Sequence, residues 1–86
     1  MRIFMQTPAI GGEQPKYYQL MLDKDLFGAW ILTREWGQPG TRTSLKREQY
    51  LDFEAAEAAL DRARELQKKK GFQVMFSQGS MEPPRR

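Results

Sequence analysis

Two stretches with a strict period of two constrain this chain more than anything else in it. From Lys16 to Leu22, KYYQLML sends Tyr18, Leu20 and Leu22 to one side and Tyr17, Gln19 and Met21 to the other. From Ala29 to Trp36, AWILTREW repeats the pattern: Trp30, Leu32, Arg34 and Trp36 share one face, Ile31, Thr33 and Glu35 the other. Alternation of this kind is the period of a pleated strand and gives a helix no coherent face. Asp23-Lys24-Asp25-Leu26-Phe27-Gly28 joins the two runs, and Gly28 is free to take positive φ. Together they predict an antiparallel hairpin.

The second constraint is a helical stripe. Phe53, Ala56, Leu60, Ala63 and Leu66 recur on one face of a helix that Asp52 can cap. Glu54 and Glu57 near its start and Lys68, Lys69 and Lys70 at its end complement the helix dipole, and Gly71 supplies a stop. Between hairpin and helix, TRTSLKREQY has β-branched content but little apolar pattern and reads as a more exposed strand. Phe72 to Phe76 predicts a last strand, and Ile3, Phe4 and Met5 an edge strand at the start. The expected fold is α+β: a small antiparallel sheet of about four to five strands with one long α-helix packed on one face. Residues 1–15 are expected to be an edge strand and linker, 16–76 the domain proper, and 77–86 a disordered tail. One helix covers one sheet face, so the other is expected to be wet or to meet a partner.

Composition removes whole classes of chemistry. The 86 residues contain no cysteine and no histidine, which excludes disulfides, the usual zinc sets, thiol nucleophiles and the commonest general base. A chain of this length holds one modest core, with stability on the order of 5 kcal/mol, and no deep walled cleft. The acids Glu54, Glu57, Asp61 and Glu65 read as a wet helical face rather than as catalysts. Asp23-Lys24-Asp25 lacks the length and glycine placement of a calcium loop. The expectation is therefore a non-enzyme with no cofactor, no metal and no small-molecule substrate. No apolar run approaches the roughly 20 residues of a membrane span, and the N-terminus lacks a signal-peptide core, so a cytoplasmic location is expected and a membrane partner is not.

What remains informative is the stretch REWGQPGTR, where Trp36 stands at the lip of a turn built from Gly37, Pro39 and Gly40. Arg34, Arg42, Lys46 and Arg47 crowd this part of the chain against Glu35, although the whole chain carries only +3. Cations around an aromatic side chain are what phosphate contact and base or sugar stacking require. The competing expectation is that Trp36 is a rim residue that closes the end of the core. The triple lysine, Lys68 to Lys70, could act as a phosphate clamp only if it lay beside the Trp36 turn.

These parts, in their order, resemble the WGR domain, named for a central Trp-Gly-Arg. The resemblance rests on Tyr18 in the first run, Gly28-x-Trp30 in the second, Trp36-Gly37-x-x-Gly40 at the turn and Lys70-Gly71-Phe72 after the helix, and it spans about residues 17–72. It implies a non-enzymatic module that binds nucleic acid, in poly(ADP-ribose) polymerases near a DNA break. By position it implies that Trp36 packs against sugar and backbone and that Gly37 lets the chain approach closely; Gln38 stands where the family has its arginine. The expected interface is thus Trp36, Gly37 and Gln38 with Arg34, Arg42, Lys46 and Arg47, and the expected partner is DNA, with RNA as the other possibility. The alternative reading is a protein-interaction adaptor that docks a partner on the uncovered sheet face or an edge strand.

Overall fold

A computed structural model describes residues 1–79. Among them the elements run β1 (Arg2–Gln6), β2 (Tyr17–Lys24), β3 (Trp30–Gly37), β4 (Ser44–Tyr50), α1 (Phe53–Lys69) and β5 (Gln73–Gln78). The strands form one antiparallel sheet in the order β4-β3-β2-β1-β5, with α1 laid across one face. This is the α+β architecture that the two periodicities predict.

The hairpin is fixed by its connection. The Asp25 Oδ1 accepts hydrogen bonds from the amides of Phe27 and Ala29, both at 2.9 Å, and Gly28 takes φ 87°. This side-chain-closed turn sets the register in which Leu22 faces Leu32, Leu20 faces Arg34 and Tyr18 faces Trp36. A slip of one residue would turn every leucine of the pair away from the helix.

Ile3, Met5, Tyr18, Leu20, Leu22 and Leu32 from the sheet meet Ala56, Ala59, Leu60 and Ala63 from α1 in one buried cluster. The alanines let the helix lie close to the sheet, and each large apolar side chain buried there contributes roughly 1.5–3 kcal/mol. Asp52 caps the helix by accepting the Ala55 amide at 2.8 Å, and Gly71 ends it at φ 101°.

Three expectations are corrected. Leu66 is half-exposed and Gln67 is buried in its place, because at about 100° per residue Leu66 lies roughly 80° from the line through Ala56 and Gln67. The first strand is not an edge: β1 lies between β2 and β5, its Ile3 and Met5 are buried, and β5 pairs along its other side. The last strand runs on past Phe76, with Ser77 opposite Ile3 and Gln78 opposite Arg2, so those two residues belong to the sheet and not to a tail. The rest of the expected tail, residues 80–86, lies outside the described residues.

Candidate nucleic-acid interface

β3 delivers Trp36 to the end of the sheet and reverses at once. The Thr41 amide and hydroxyl both donate to the Gln38 carbonyl, at 2.9 and 2.6 Å, and Gly40 takes φ 84°. The turn is tight enough to need a glycine at its entry. A Cβ on Gly37 would stand 3.3 Å from the Arg42 carbonyl oxygen and 3.5 Å from the Tyr17 ring. The close approach that Gly37 permits is therefore made within the chain itself.

Trp36 is half-buried. Its ring stacks on Tyr18, with centroids 5.6 Å apart and planes 14° apart, and Tyr18 in turn meets Phe72 edge-on at 5.9 Å. The ring is thus a rim residue of the core. It is also one wall of a cleft of about 230 Å³ lined by Lys16, Tyr17, Trp36, Gly37, Gln38, Thr41 and Phe72. The volume lies below the roughly 300–1,000 Å³ of small-molecule sites and suits a single ring or sugar.

The four cations of this stretch do not converge. Arg34 Nη2 donates to Glu48 Oε1 at 2.8 Å and its Nε to the same oxygen at 3.2 Å, while Tyr50 donates to it at 3.3 Å. Burial works against the Arg34 cation, but hydrogen bonding with Tyr18 and Glu48 and the charge of Glu48 outweigh it, so its pKa is raised. Burial likewise works against the Glu48 carboxylate, yet the Arg34 hydrogen bond and charge, with Lys46, hold its pKa below the usual value. Burial, then Glu48, pushes the Tyr50 phenol up. Lys46 lies opposite Arg34 and approaches Glu48 Oε2 at 3.6 Å. Arg47 is opposite Thr33 and so belongs to the other sheet face. Arg42 is exposed, and its backbone borders the cleft: its carbonyl oxygen lies 3.3 Å from where a Cβ on Gly37 would stand.

Other cations take their place. Lys16 lines the cleft directly. The helix C-terminus also ends here: Phe72 forms part of the cleft, and Gly71 shares a neighbouring hollow with Lys16 and Gln38. Lys69 and Lys70 precede Gly71 in sequence, at the end of α1 nearest this corner, but neither lines the cleft or the neighbouring hollow. Among the described residues Lys16, Arg42, Lys69 and Lys70 have no acidic partner within ion-pair distance, whereas Lys68 reaches Glu65 at 3.5 Å. Gln38 donates from Nε2 to the Gln14 carbonyl at 2.7 Å and so ties the connection before β2 to the turn. Tyr17 faces Gly37 in the hairpin register and bonds through its hydroxyl to Glu35 and Thr43.

Lys16, Tyr17, Thr41 and Phe72 are the cleft residues that the residue pattern left out. For Tyr17 a signal existed, because a hairpin closed around Asp25 places it beside Gly37. Phe72 follows from the helix length, which at roughly 1.5 Å per residue returns the chain to the end where β3 stops. No group of acidic side chains among the described residues is placed to hold a metal ion. No helix among the described residues is long and apolar enough to cross a membrane.

The family model described as the WGR domain matches residues 1–77 of this chain. No curated protein and no solved structure matches it.

Proposed function

The chain belongs to the WGR domain family, a nucleic-acid-binding module in poly(ADP-ribose) polymerases, and on that premise we propose that it binds DNA through the corner formed by the Trp36 turn and the end of α1. The observation that carries this reading is a cleft of about 230 Å³ lined by Tyr17, Trp36 and Phe72 together with Lys16; the Arg42 backbone borders it beside Gly37, and Lys69 and Lys70 stand in sequence just before the Gly71-Phe72 step at the end of α1. A terminal sugar or base enters the cleft, and the cations meet the flanking phosphates. The role expected of Arg34 passes to these residues, since Arg34 is held by Glu48. Lys46 and Arg47 are placed to add to the field but not to touch a ligand in the cleft. Gln38 acts as a tether: its bond to Gln14 keeps the segment that ends in Lys16 against the turn.

The module binds and does not catalyse. Its affinity rests on phosphate neutralisation, so it falls with salt in proportion to the phosphates met, with a logarithmic slope of about −0.9 for each on duplex DNA. Fluorescence anisotropy with a labelled short duplex at two salt concentrations tests this. The double variant Lys16→Gln/Arg42→Gln is expected to bind at least tenfold more weakly at low salt and to lose roughly two from the slope. Absence of binding at low salt to duplex, nicked and single-stranded DNA and to RNA, or binding that neither salt nor the double variant changes, contradicts the proposal.

A further inference from the structure

The end of the hairpin opposite the cleft presents an unusual surface. Leu26 and Phe27 are 97% and 94% exposed, and Leu51, which follows the Tyr50 that pairs with Trp30, is 88% exposed at the same end. Single exposed apolar residues are ordinary, but three together, almost fully in water, mark a contact site. The Leu26-Phe27 knob is also rigid, because Asp25 closes the turn from both sides through the amides of Phe27 and Ala29. A preordered knob loses little freedom on docking. Its surroundings carry more acid than base: Asp23, Asp25, Asp52 and Glu54 lie at this end against Arg47, which shares a hollow with Asp23 and Asp25, and Lys24, whose ammonium sits over the Trp30 ring at 5.6 Å. Acids around the knob disfavour nucleic acid, an anionic membrane surface and a second identical knob. They fit an apolar socket with a cationic rim.

The chain carries such a socket at its other end. The cleft lined by Tyr17, Trp36 and Phe72 is of ring size, apolar in its walls, and has the exposed Lys16 at its edge. β3 spans eight residues between knob and socket, roughly 25 Å of extended chain, so a molecule cannot fill its own socket. We propose that the Leu26-Phe27 tip of one copy seats in the Tyr17/Trp36/Phe72 cleft of a second copy, giving head-to-tail association that occupies the nucleic-acid corner. The contact is heterologous, so each bound copy offers a free knob and a free socket, and assembly continues in a line instead of stopping at a dimer. The inference rests on the shape and charge of the two ends and stands apart from the reading that the cleft takes DNA.

Sedimentation velocity of the full chain from micromolar to millimolar concentration tests it, with folding of each variant checked by near-ultraviolet circular dichroism. The wild-type mass is expected to climb past that of a dimer as concentration rises. The tip variant Leu26→Ser/Phe27→Ser and the socket-rim variant Lys16→Glu are each expected to stay folded, since all three residues are exposed and outside the core, and to stay monomeric. Mixed, they retain one intact knob and one intact socket between them and are expected to form a 1:1 dimer that grows no further. A wild type that is monomeric throughout, a tip variant that associates like the wild type, or a mixture that yields no dimer overturns the proposal. Dilute tip variant is expected to bind DNA as the wild type does, so loss of self-association leaves the nucleic-acid reading to be judged separately.

Discussion

Arg34 and Trp36 leave β3 on the same face two residues apart, and each is engaged before any ligand arrives, one by Glu48 and the other by Tyr18. The sequence shows a guanidinium beside an indole; it does not show that β4 brings a carboxylate against the guanidinium, because the partner lies across a strand pair whose register depends on the turn. Glu48 accepts from Arg34 and Tyr50 and approaches Lys46, so its loss leaves a half-buried cation without an acidic partner. Glu48→Gln is expected to cost about 1 kcal/mol near neutral pH. The folded carboxyl titrates below the unfolded value of about 4.3, so its contribution is complete above that value and disappears as pH falls through the folded pKa. Urea denaturation of both proteins at neutral pH and below about pH 4 checks this: the gap between them closes in acid. Gly37 is the other decisive residue. Gly37→Ala puts a methyl 3.3 Å from a backbone oxygen, which a flexible side chain cannot yield to relieve. A loss of roughly 1 kcal/mol is expected, seen in thermal melting as about 4–8 °C.

At the level of elements, most of the fold was legible. The hairpin faces, the Asp52 cap and the helix stripe are local patterns, and they appear in the structure because burial and periodicity agree along each run. β1 was misread for a non-local reason: Ile3-Phe4-Met5 is too short to show whether one or two neighbours pair with it, and β5, which makes it an inner strand, comes some seventy positions later. The site was legible only in part, for the same reason. Trp36, Gly37 and Arg42 lie within seven positions of one another and fall at the corner, whereas Lys16 and Phe72 reach it from just before β2 and from just after α1. The helix holds the two ends in place through its buried stripe, with Leu60 at the centre of the cluster. Leu60→Ala is expected to destabilise by about 2–5 kcal/mol, most of the stability that a domain of this size has. Circular dichroism should show a chain that is largely unfolded at or little above room temperature.

Taken whole, the molecule is polar along the hairpin axis. Asp23, Asp25, Asp52 and Glu54 gather where the hairpin turns and α1 begins, against Lys24 and Arg47, and Lys16, Arg42, Lys69 and Lys70 where β3 ends and α1 stops, against Glu13 and Glu35. A net charge of +3 conceals this separation, which is why the total says so little and the distribution so much. The basic end also holds the ring-sized cleft that Trp36 helps to wall, with Lys16 in its lining, so a cation and a stacking surface are offered to a ligand together. The most direct measurement is an NMR titration of the full chain with a short DNA duplex, with and without a 5′ phosphate, at two salt concentrations. Shifts are predicted at Lys16, Tyr17, residues 36–42 and residues 69–72, and they shrink as salt rises. Shifts confined to the hairpin tip or the middle of α1, or no shifts at the lower salt, would contradict the account.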